Sequence, residues 1–263
     1  MRGAICYYSG TGNTALACRY VARRSPVEFD LIDVTMGGDI DPGAYDVVGF
    51  AAPTDFWGIP RTFEAFIEGL PRQEHKPAFL LNTFGAISGK TLRALEQAVS
   101  ARGFAAVAGH SLRMPEAYPP MIARRLDAAS SPSPRRLAGF DSFISRLAGL
   151  LASVEEGGRI EARELRLGAL NSILPTYPRT KARDDMGAKT VDPSACKECG
   201  TCERGCPYGA IRLGPKPIFD MAKCYGCWRC YNRCPQGAIH TRAFPGRPVY
   251  RGPGEVLKGK LET

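Results

Sequence analysis

The chain has 263 residues, 44% of them hydrophobic, and a formal charge of +9, a length that suits one large or two modest domains. Its 29 glycines and 21 prolines are too few for a low-complexity chain, which excludes disorder as the main state. No apolar run approaches a membrane span, and the short run after Met1-Arg2 ends in a glycine-rich turn instead of a signal-peptide cleavage site. We therefore expect a cytoplasmic protein.

The first 157 residues alternate short apolar runs with segments of helical periodicity, a pattern that indicates an α/β domain with a parallel sheet. Most of the runs are almost continuously apolar, as in strands covered on both faces. The predicted strands span 3–8, 27–34, 45–52, 78–83 and 105–112. The predicted helices include 13–24 and segments around 63–70, 92–99 and 140–154.

The rest of the chain divides by composition. Residues 114–134 are rich in proline and predict a long loop. We expect a linker over 158–190 with a short helix over 162–173, a cysteine-rich unit over 191–244, and a basic tail over 245–263 in which no fold signal is visible. The chain thus predicts two modules joined by a linker.

Cysteine spacing carries the strongest signal in the sequence. Eight of the ten cysteines lie between Cys196 and Cys234, which favours a metal site over a disulfide framework. The other two, Cys6 and Cys18, fall in a predicted strand and helix and are expected to be small buried hydrophobes. The three histidines have no nucleophile or carboxylate partner that the sequence identifies, and none is assigned a catalytic role: His75, His110 and His240.

The eight clustered cysteines form C-x2-C-x2-C-x3-C-P twice, beginning at Cys196 and Cys224, and both copies continue into Gly-Ala-Ile. In two-cluster ferredoxins the first three cysteines of such a run bind one cubane and the fourth binds the other. The spacing therefore predicts two [4Fe-4S] clusters, one on Cys196, Cys199, Cys202 and Cys234, the other on Cys206, Cys224, Cys227 and Cys230. Structural zinc is the alternative, but two complete copies resemble the bacterial two-cluster ferredoxin far more closely.

A hydroxyl-rich glycine turn follows the first strand and leads into the first helix: Ser9, Gly10, Thr11, Gly12, Asn13 and Thr14. Free N–H groups at such a helix start favour an anion. The turn also satisfies a loose dinucleotide fingerprint, with Asp30 or Asp33 at a suitable distance for a ribose. Its three hydroxyls favour a terminal phosphate instead, because a bridging pyrophosphate relies mainly on close backbone approach.

The pattern Ser-x-Thr-Gly-x-Thr resembles the FMN phosphate loop of flavodoxins. This resemblance implies a doubly wound sheet of order 2-1-3-4-5, with the flavin ring over the ends of strands three and four. The loops there contain Pro53, Thr54, Asp55, Phe56 and Trp57, and Asn82, Thr83, Phe84 and Gly85. We expect ring contacts from Thr54, Trp57, Asn82 and Gly85. Tyr118 either covers the other face of the ring or packs its own loop, and local packing is also an alternative for Trp57.

The order of the modules resembles a family of flavodoxin-ferredoxin fusion proteins of anaerobes, and the resemblance covers nearly the whole chain. It implies an electron-transfer protein that passes electrons between FMN, two [4Fe-4S] clusters and a redox partner protein. Two alternatives stay open. One is a ferredoxin-fed reductase of a quinone or an enoate, and the other is a docking module without flavin that carries a ferredoxin.

The net positive charge of the chain indicates which class of partner to expect. Two clusters and an FMN phosphate would bring the charge of +9 to roughly +3, so nucleic acid is not expected as a partner. An acidic ferredoxin or an oxygen-sensitive reductase fits better. The pairs Arg124-Arg125 and Arg135-Arg136 are candidates for steering such a partner, although a plain solvated face is the alternative.

Overall fold

The structure is a computed structural model that describes residues 1–155, 181–246 and 249–262, so the predicted helix over 162–173 lies outside the described residues. The first module is built on a five-stranded parallel sheet of order β2-β1-β3-β4-β5. Its strands are β1 (Arg2–Tyr7), β2 (Glu28–Asp33), β3 (Val47–Pro53), β4 (Lys76–Phe84) and β5 (Phe104–Arg113). The predicted strands and their order are confirmed, and this order is the doubly wound flavodoxin-like one.

Helices cover both faces of the sheet: α1 (Asn13–Arg24), α2 (Arg61–Gly69), α3 (Thr91–Ser100) and α5 (Pro134–Glu155). One apolar layer packs α1 and α5 on the sheet, and the other packs α2 and α3. Side chains of β1 alternate between the layers, so that Ile5 lies in one and Ala4 and Cys6 lie in the other. The strand β2 at the edge is only half-buried. Within the predicted long loop, residues Pro119–Ala123 form the short helix α4.

The second module is small and mixed. Its two antiparallel pairs join β6 (Lys189–Val191) to β9 (Ile239–Thr241) and β7 (Ile211–Leu213) to β8 (Pro217–Phe219). Its helices are α6 (Lys181–Met186), α7 (Thr201–Arg204) and α8 (Arg229–Arg233). Its first described helix, α6, begins at Lys181, inside the segment predicted as a linker. Among the described residues, no helix combines the length and apolarity that a bilayer crossing requires.

The basic tail, in which the sequence shows no fold signal, contains the helix α9 (Glu255–Leu261). Leu257 and Leu261, four residues apart, point from one face of α9 into the layer that also holds α1 and α5. The Arg23 guanidinium donates to the Leu261 carbonyl and joins the ends of α1 and α9. In the sequence, these two leucines indicate an amphipathic helix, but the charged residues around them obscure the pattern.

The tail helix supplies a stability test. Replacing the fully buried Leu261 by alanine removes packed methyl groups, so we expect the free energy of unfolding to fall by about 2–5 kcal/mol. Val256 on the same helix is 75% exposed, and Val256→Ala should change it by less than about 0.5 kcal/mol. Denaturant unfolding followed by circular dichroism measures both variants. Wild-type stability in Leu261→Ala would contradict the packing of the tail on α1.

A second test concerns acid stability. His110 on β5 stacks on Phe140 and Phe143, and burial, with smaller contributions from Arg146 and Arg136, lowers its pKa from 6.5 to about 4. The unfolded chain therefore binds this proton more readily, and the stabilisation present above about pH 6.5 is lost as the pH falls towards 4.

We expect the wild-type protein to lose roughly 2 kcal/mol more unfolding free energy than His110→Phe between about pH 7 and pH 5. The phenyl ring preserves the stack and cannot be protonated. Urea unfolding of both proteins at each pH gives this difference, and identical pH profiles would show that His110 titrates normally.

Candidate functional site

A cavity of about 380 Å³ lies where the carboxyl ends of β1, β3 and β4 meet the second module, which is within the size range of cofactor sites. Fourteen of the sixteen residues predicted to contact FMN line it, including the phosphate loop and both ring loops. They are Ser9, Gly10, Thr11, Asn13, Thr14, Pro53, Thr54, Asp55, Phe56, Trp57, Thr83, Phe84, Gly85 and Tyr118.

The other two predicted residues, Gly12 and Asn82, lie behind the cavity wall. Gly12 has φ +106°, a left-handed conformation that favours glycine, and its N–H donates to Ser9 Oγ at 3.1 Å. Asn82 is fully buried, and its amide donates to the Ala52 carbonyl at 3.2 Å and to Thr54 Oγ1 at 3.0 Å. Asn82 therefore holds the ends of β3 and β4 together, and its expected contact with the flavin ring stays a prediction.

The phosphate loop presents a set of backbone donors. Ser9 Oγ accepts from the N–H groups of Gly12 and Ala15, and Thr14 Oγ1 lies 2.9 Å from Thr83 Oγ1. Four other N–H groups at the start of α1 have no acceptor within the described part of the chain: Gly10, Thr11, Asn13 and Thr14. These residues all line the cavity, so their donor set fits a phosphate dianion.

The dinucleotide alternative has no ribose contact here. Asp30 accepts from Arg2 Nη2 at 2.7 Å and from the Tyr45 hydroxyl at 2.9 Å. Asp33 Oδ1 accepts from the N–H of Thr35 at 2.9 Å. Both carboxylates are engaged near β2 and neither lines the cavity, which leaves the terminal-phosphate interpretation as the better fit.

Aromatic rings form much of the remaining wall. Phe56 and Trp57 adopt positive φ angles of 49° and 68°, in a turn closed by two 3.0 Å bonds between the backbones of Asp55 and Gly58. The Tyr118 ring contacts Phe56 at 5.4 Å between centroids, and its hydroxyl donates to Asp185 at 2.7 Å. Burial and the hydrogen bond to Asp185 raise the pKa of Tyr118, which keeps this hydroxyl protonated.

Glu116 is a residue of this site that was not predicted from the sequence. Its carboxylate accepts from the N–H groups of Ala86, Ala117 and Tyr118 at 2.9–3.2 Å. A Cβ on Gly85 would lie 2.3 Å from Glu116 Oε2, so the glycine is required for this close approach. Glu116 therefore fixes the loop after β4 to the proline-rich loop. No motif marks it, because the loops meet only in the folded chain.

The second module supplies the far wall of the cavity: Asp185, Gly226, Cys227, Trp228 and Asn232. Trp228 is 3% exposed, and its ring lies 6.1 Å from Tyr118. Its indole N–H is buried and has no acceptor within the described ranges. Trp228 therefore contributes its aromatic ring to this wall.

The positions of the eight motif cysteines are compatible with the predicted division into two groups, which stays a prediction. Those assigned to the first cluster line one small cavity together: Cys196, Cys199, Cys202 and Cys234. In the second group, Cys206 lies close enough to Cys227 and Cys230 for its charge to contribute to the raised pKa of both thiols. In both copies the alanine of Gly-Ala-Ile donates its N–H at 3.3 Å to the last cysteine sulfur, Ala210 to Cys206 and Ala238 to Cys234. Hydrogen bonds of this kind are typical of cluster ligands.

The surroundings of the cysteines differ between the groups. Burial raises the pKa of Cys227 to about 12, whereas Cys199 is exposed and hydrogen bonds from Thr201 lower its pKa. Lys189 Nζ donates to Cys224 Sγ at 2.8 Å. Binding of iron to the buried thiols would therefore release protons.

Comparisons with known proteins agree with the cysteine geometry. Residues 195–238 match the family model of the 4Fe-4S dicluster domain. The chain joins a flavodoxin-like module to a 4Fe-4S dicluster domain. Among curated proteins, none matches the sequence.

Solved structures align with the flavodoxin-like module. Oxidised flavodoxin 1 from Bacillus cereus is 17% identical with a TM-score of 0.43, and the alignment covers 57% of this chain and 98% of that one. The flavodiiron core of Flv1 from Synechocystis is 16% identical with a TM-score of 0.42, over 59% of this chain and 36% of that one. Rubredoxin oxygen:oxidoreductase from Desulfovibrio gigas is 15% identical with a TM-score of 0.44, over 58% and 36%.

The phosphate loop can be tested without disturbing the second module. Thr11→Val removes a hydroxyl that lines the cavity, and we expect FMN to bind about tenfold more weakly, since a hydrogen bond to a charged group is lost. Iron content should stay unchanged. Fluorescence titration with FMN measures the affinity, and Ser142→Ala on an exposed position of α5 is the control. Unchanged FMN affinity in Thr11→Val would contradict the assignment of the loop.

Proposed function

We propose that the protein transfers electrons between FMN, bound in the cavity between the modules, and a redox partner protein by way of two [4Fe-4S] clusters. The observation that carries this proposal is the position of Cys227. This cysteine, assigned to the second cluster, lines the same cavity as the phosphate loop and the ring loops. A cluster ligand and the flavin site thus share a wall.

Different groups of residues would bind different parts of FMN. The phosphate loop would hold the phosphate, the loops after β3 and β4 would flank the ring, and the Trp228 ring would form part of the far wall. Cofactors of these types exchange one or two electrons at the flavin and one at each cubane. Aromatic and apolar side chains line much of the cavity, which would limit the water around a bound flavin.

The two cysteine groups lie in series from the cavity to the surface. Cys227 lines the cavity. Cys230 lies close enough to Cys202 of the other group for its charge to raise the pKa of that thiol. Cys199 is exposed. This arrangement supports an inner cluster on Cys206, Cys224, Cys227 and Cys230, and an outer cluster on the remaining four cysteines. The exposed Cys199 marks the surface at which a partner would exchange electrons.

The basic surface supports an acidic partner, such as an acidic ferredoxin, or an oxygen-sensitive reductase. Arg124 lines the cavity, and the Arg136 guanidinium lies 5.8 Å from the centroid of the Phe84 ring, another residue of the cavity wall. Cluster ligands must remain free thiolates, so a reducing compartment, the cytoplasm, is the expected location.

A flavin-dependent reductase of a small acceptor is the second candidate. The observation that favours it is the partial opening of the cavity beside Ile87, which lines it and is 42% exposed. The docking module without flavin has less support, because four backbone donors of the phosphate loop would then have no acceptor in the described part of the chain.

Anaerobic stopped-flow mixing with a reduced bacterial two-cluster ferredoxin tests the proposal. Flavin absorbance should fall in the wild-type protein, and Cys199→Ala, which removes the outer cluster, should slow this by an order of magnitude while FMN stays bound. Cys18→Ala, which replaces a buried cysteine outside both groups, is the control and should react at the wild-type rate.

Flavin reduction at the wild-type rate in Cys199→Ala would contradict the proposed order of the clusters. Steady-state reduction of a quinone by pre-reduced protein, with no protein acceptor present, would favour the reductase instead.

A further inference from the structure

The two cysteine motifs are copies, and they differ where the second one meets the first module. Gly200 and Thr201 in the first copy correspond to Trp228 and Arg229 in the second. Gly200 has φ +70° and Trp228 has φ +60°. Glycine adopts this conformation without strain, whereas a bulky side chain does not. The second copy thus has a bulky residue where the first uses glycine, just as the first has Glu198 (φ +56°) where the second has Gly226, so it is the contacts of the Trp228-Arg229 pair that set the second copy apart.

Arg229 contacts both the phosphate loop and the cysteine backbone. Its Nη1 donates to the carbonyls of Ser9 at 2.6 Å and Gly10 at 2.8 Å. Its Nε donates to the carbonyl of Gly205 at 2.9 Å. Gly205 directly precedes Cys206, and Arg229 itself directly precedes Cys230. The guanidinium is therefore fixed by backbone on both sides of the inner cysteine group.

The hydrogen bonds from Arg229 to these two carbonyls fix the orientation of two backbone N–H groups in the phosphate loop. The Ser9 carbonyl shares a peptide plane with the N–H of Gly10, and the Gly10 carbonyl shares one with the N–H of Thr11. In a trans peptide the C=O and N–H groups point in opposite directions. By holding both carbonyls, Arg229 turns both N–H groups away from itself. Neither has an acceptor among the described residues, and both residues line the cavity.

The charge of Arg229 favours an anion at the same place. Arg229 is 6% exposed, and no ion pair with a carboxylate is formed in the described part of the chain. Its hydrogen bonds all go to carbonyl oxygens and Asp33 acts on it only at longer range, which leaves a favourable field for a phosphate on the far side of the loop. Thr201, its counterpart in the first copy, has no such contact to the phosphate loop.

We propose that Arg229 is a positioning residue through which the second cysteine motif, once its cluster is in place, sets the affinity of the phosphate loop for FMN; this inference rests on the proposed function. The cluster would order the backbone that holds Arg229, and Arg229 would orient the donors that bind the phosphate. Coupling of this kind is reciprocal, so bound FMN would also favour retention of the inner cluster.

The first copy supplies the test substitution. Arg229→Thr installs the residue that the first motif already carries, so the iron content of the anaerobically reconstituted protein should stay at the wild-type value. FMN affinity, measured by fluorescence titration, should fall about tenfold or more. Arg229→Lys, which keeps one charged donor, should recover part of this loss, a rescue that a purely steric role would not produce.

Matched cysteine variants test the coupling itself. Cys224→Ala in the second motif and Cys196→Ala in the first remove corresponding ligands. We expect Cys224→Ala to weaken FMN binding as much as Arg229→Thr, and Cys196→Ala to leave it within about twofold of the wild type. The double variant Arg229→Thr/Cys224→Ala should bind FMN no more weakly than either single variant, because both act through one linkage.

Wild-type FMN affinity in Arg229→Thr, or equal losses in Cys196→Ala and Cys224→Ala, would overturn the inference while leaving the proposed function intact. Failure of the reconstituted wild-type protein to bind FMN at all would overturn the proposed function, and this inference with it.

Discussion

The hydrogen bonds between the buried Arg229 guanidinium and the carbonyls of Ser9 and Gly10 tie the two modules together at the functional site. A buried arginine is costly unless its donors are satisfied, so these bonds constrain how the modules pack. Neighbouring contacts reinforce the constraint. Asn232 on α8 donates to the Ala117 carbonyl and accepts from the N–H of Tyr250, whose hydroxyl in turn donates to Asn13. Both modules and the tail therefore contribute to the structure around the cavity.

Because the modules pack in this way, the two-module architecture does not imply two independent binding sites. Two modules on a loose linker would bind their cofactors independently, whereas here a cysteine, a tryptophan and an arginine of one module complete the site of the other. Since Trp228 and Arg229 lie between Cys227 and Cys230, the segment that would hold a cluster is also the segment that closes the cavity proposed for FMN. This shared wall is what supports the proposed electron transfer over a short distance.

The sequence predicted the features that depend on local periodicity and spacing. Apolar runs placed all five strands, the glycine turn placed the start of α1, and the duplicated cysteine spacing matched the 4Fe-4S dicluster domain at 195–238. Contacts between distant segments left no such pattern. Glu116 is one carboxylate in a proline-rich loop, Asn82 resembles a polar loop residue although it is buried at the end of β4, and the two leucines of α9 are hidden among lysines.

Trp228 and Arg229 could have been noticed in the sequence, since they depart from the first copy at Gly200 and Thr201. Only the fold shows why the departure matters, because it places Trp228 beside Tyr118 and Arg229 against the phosphate loop. The tail is a similar case. Pro253 lies 3.0 Å from the position that a Cβ on Gly12 would take, so residues far apart in the chain shape the same glycine turn.

The measurement that tests the account most directly is the content of FMN and iron per chain in protein purified and reconstituted without oxygen. The account predicts one FMN together with about eight irons, the content of two cubanes. Eight irons without FMN, even after FMN is added in excess, would contradict it and would reduce the flavodoxin-like module to a docking domain.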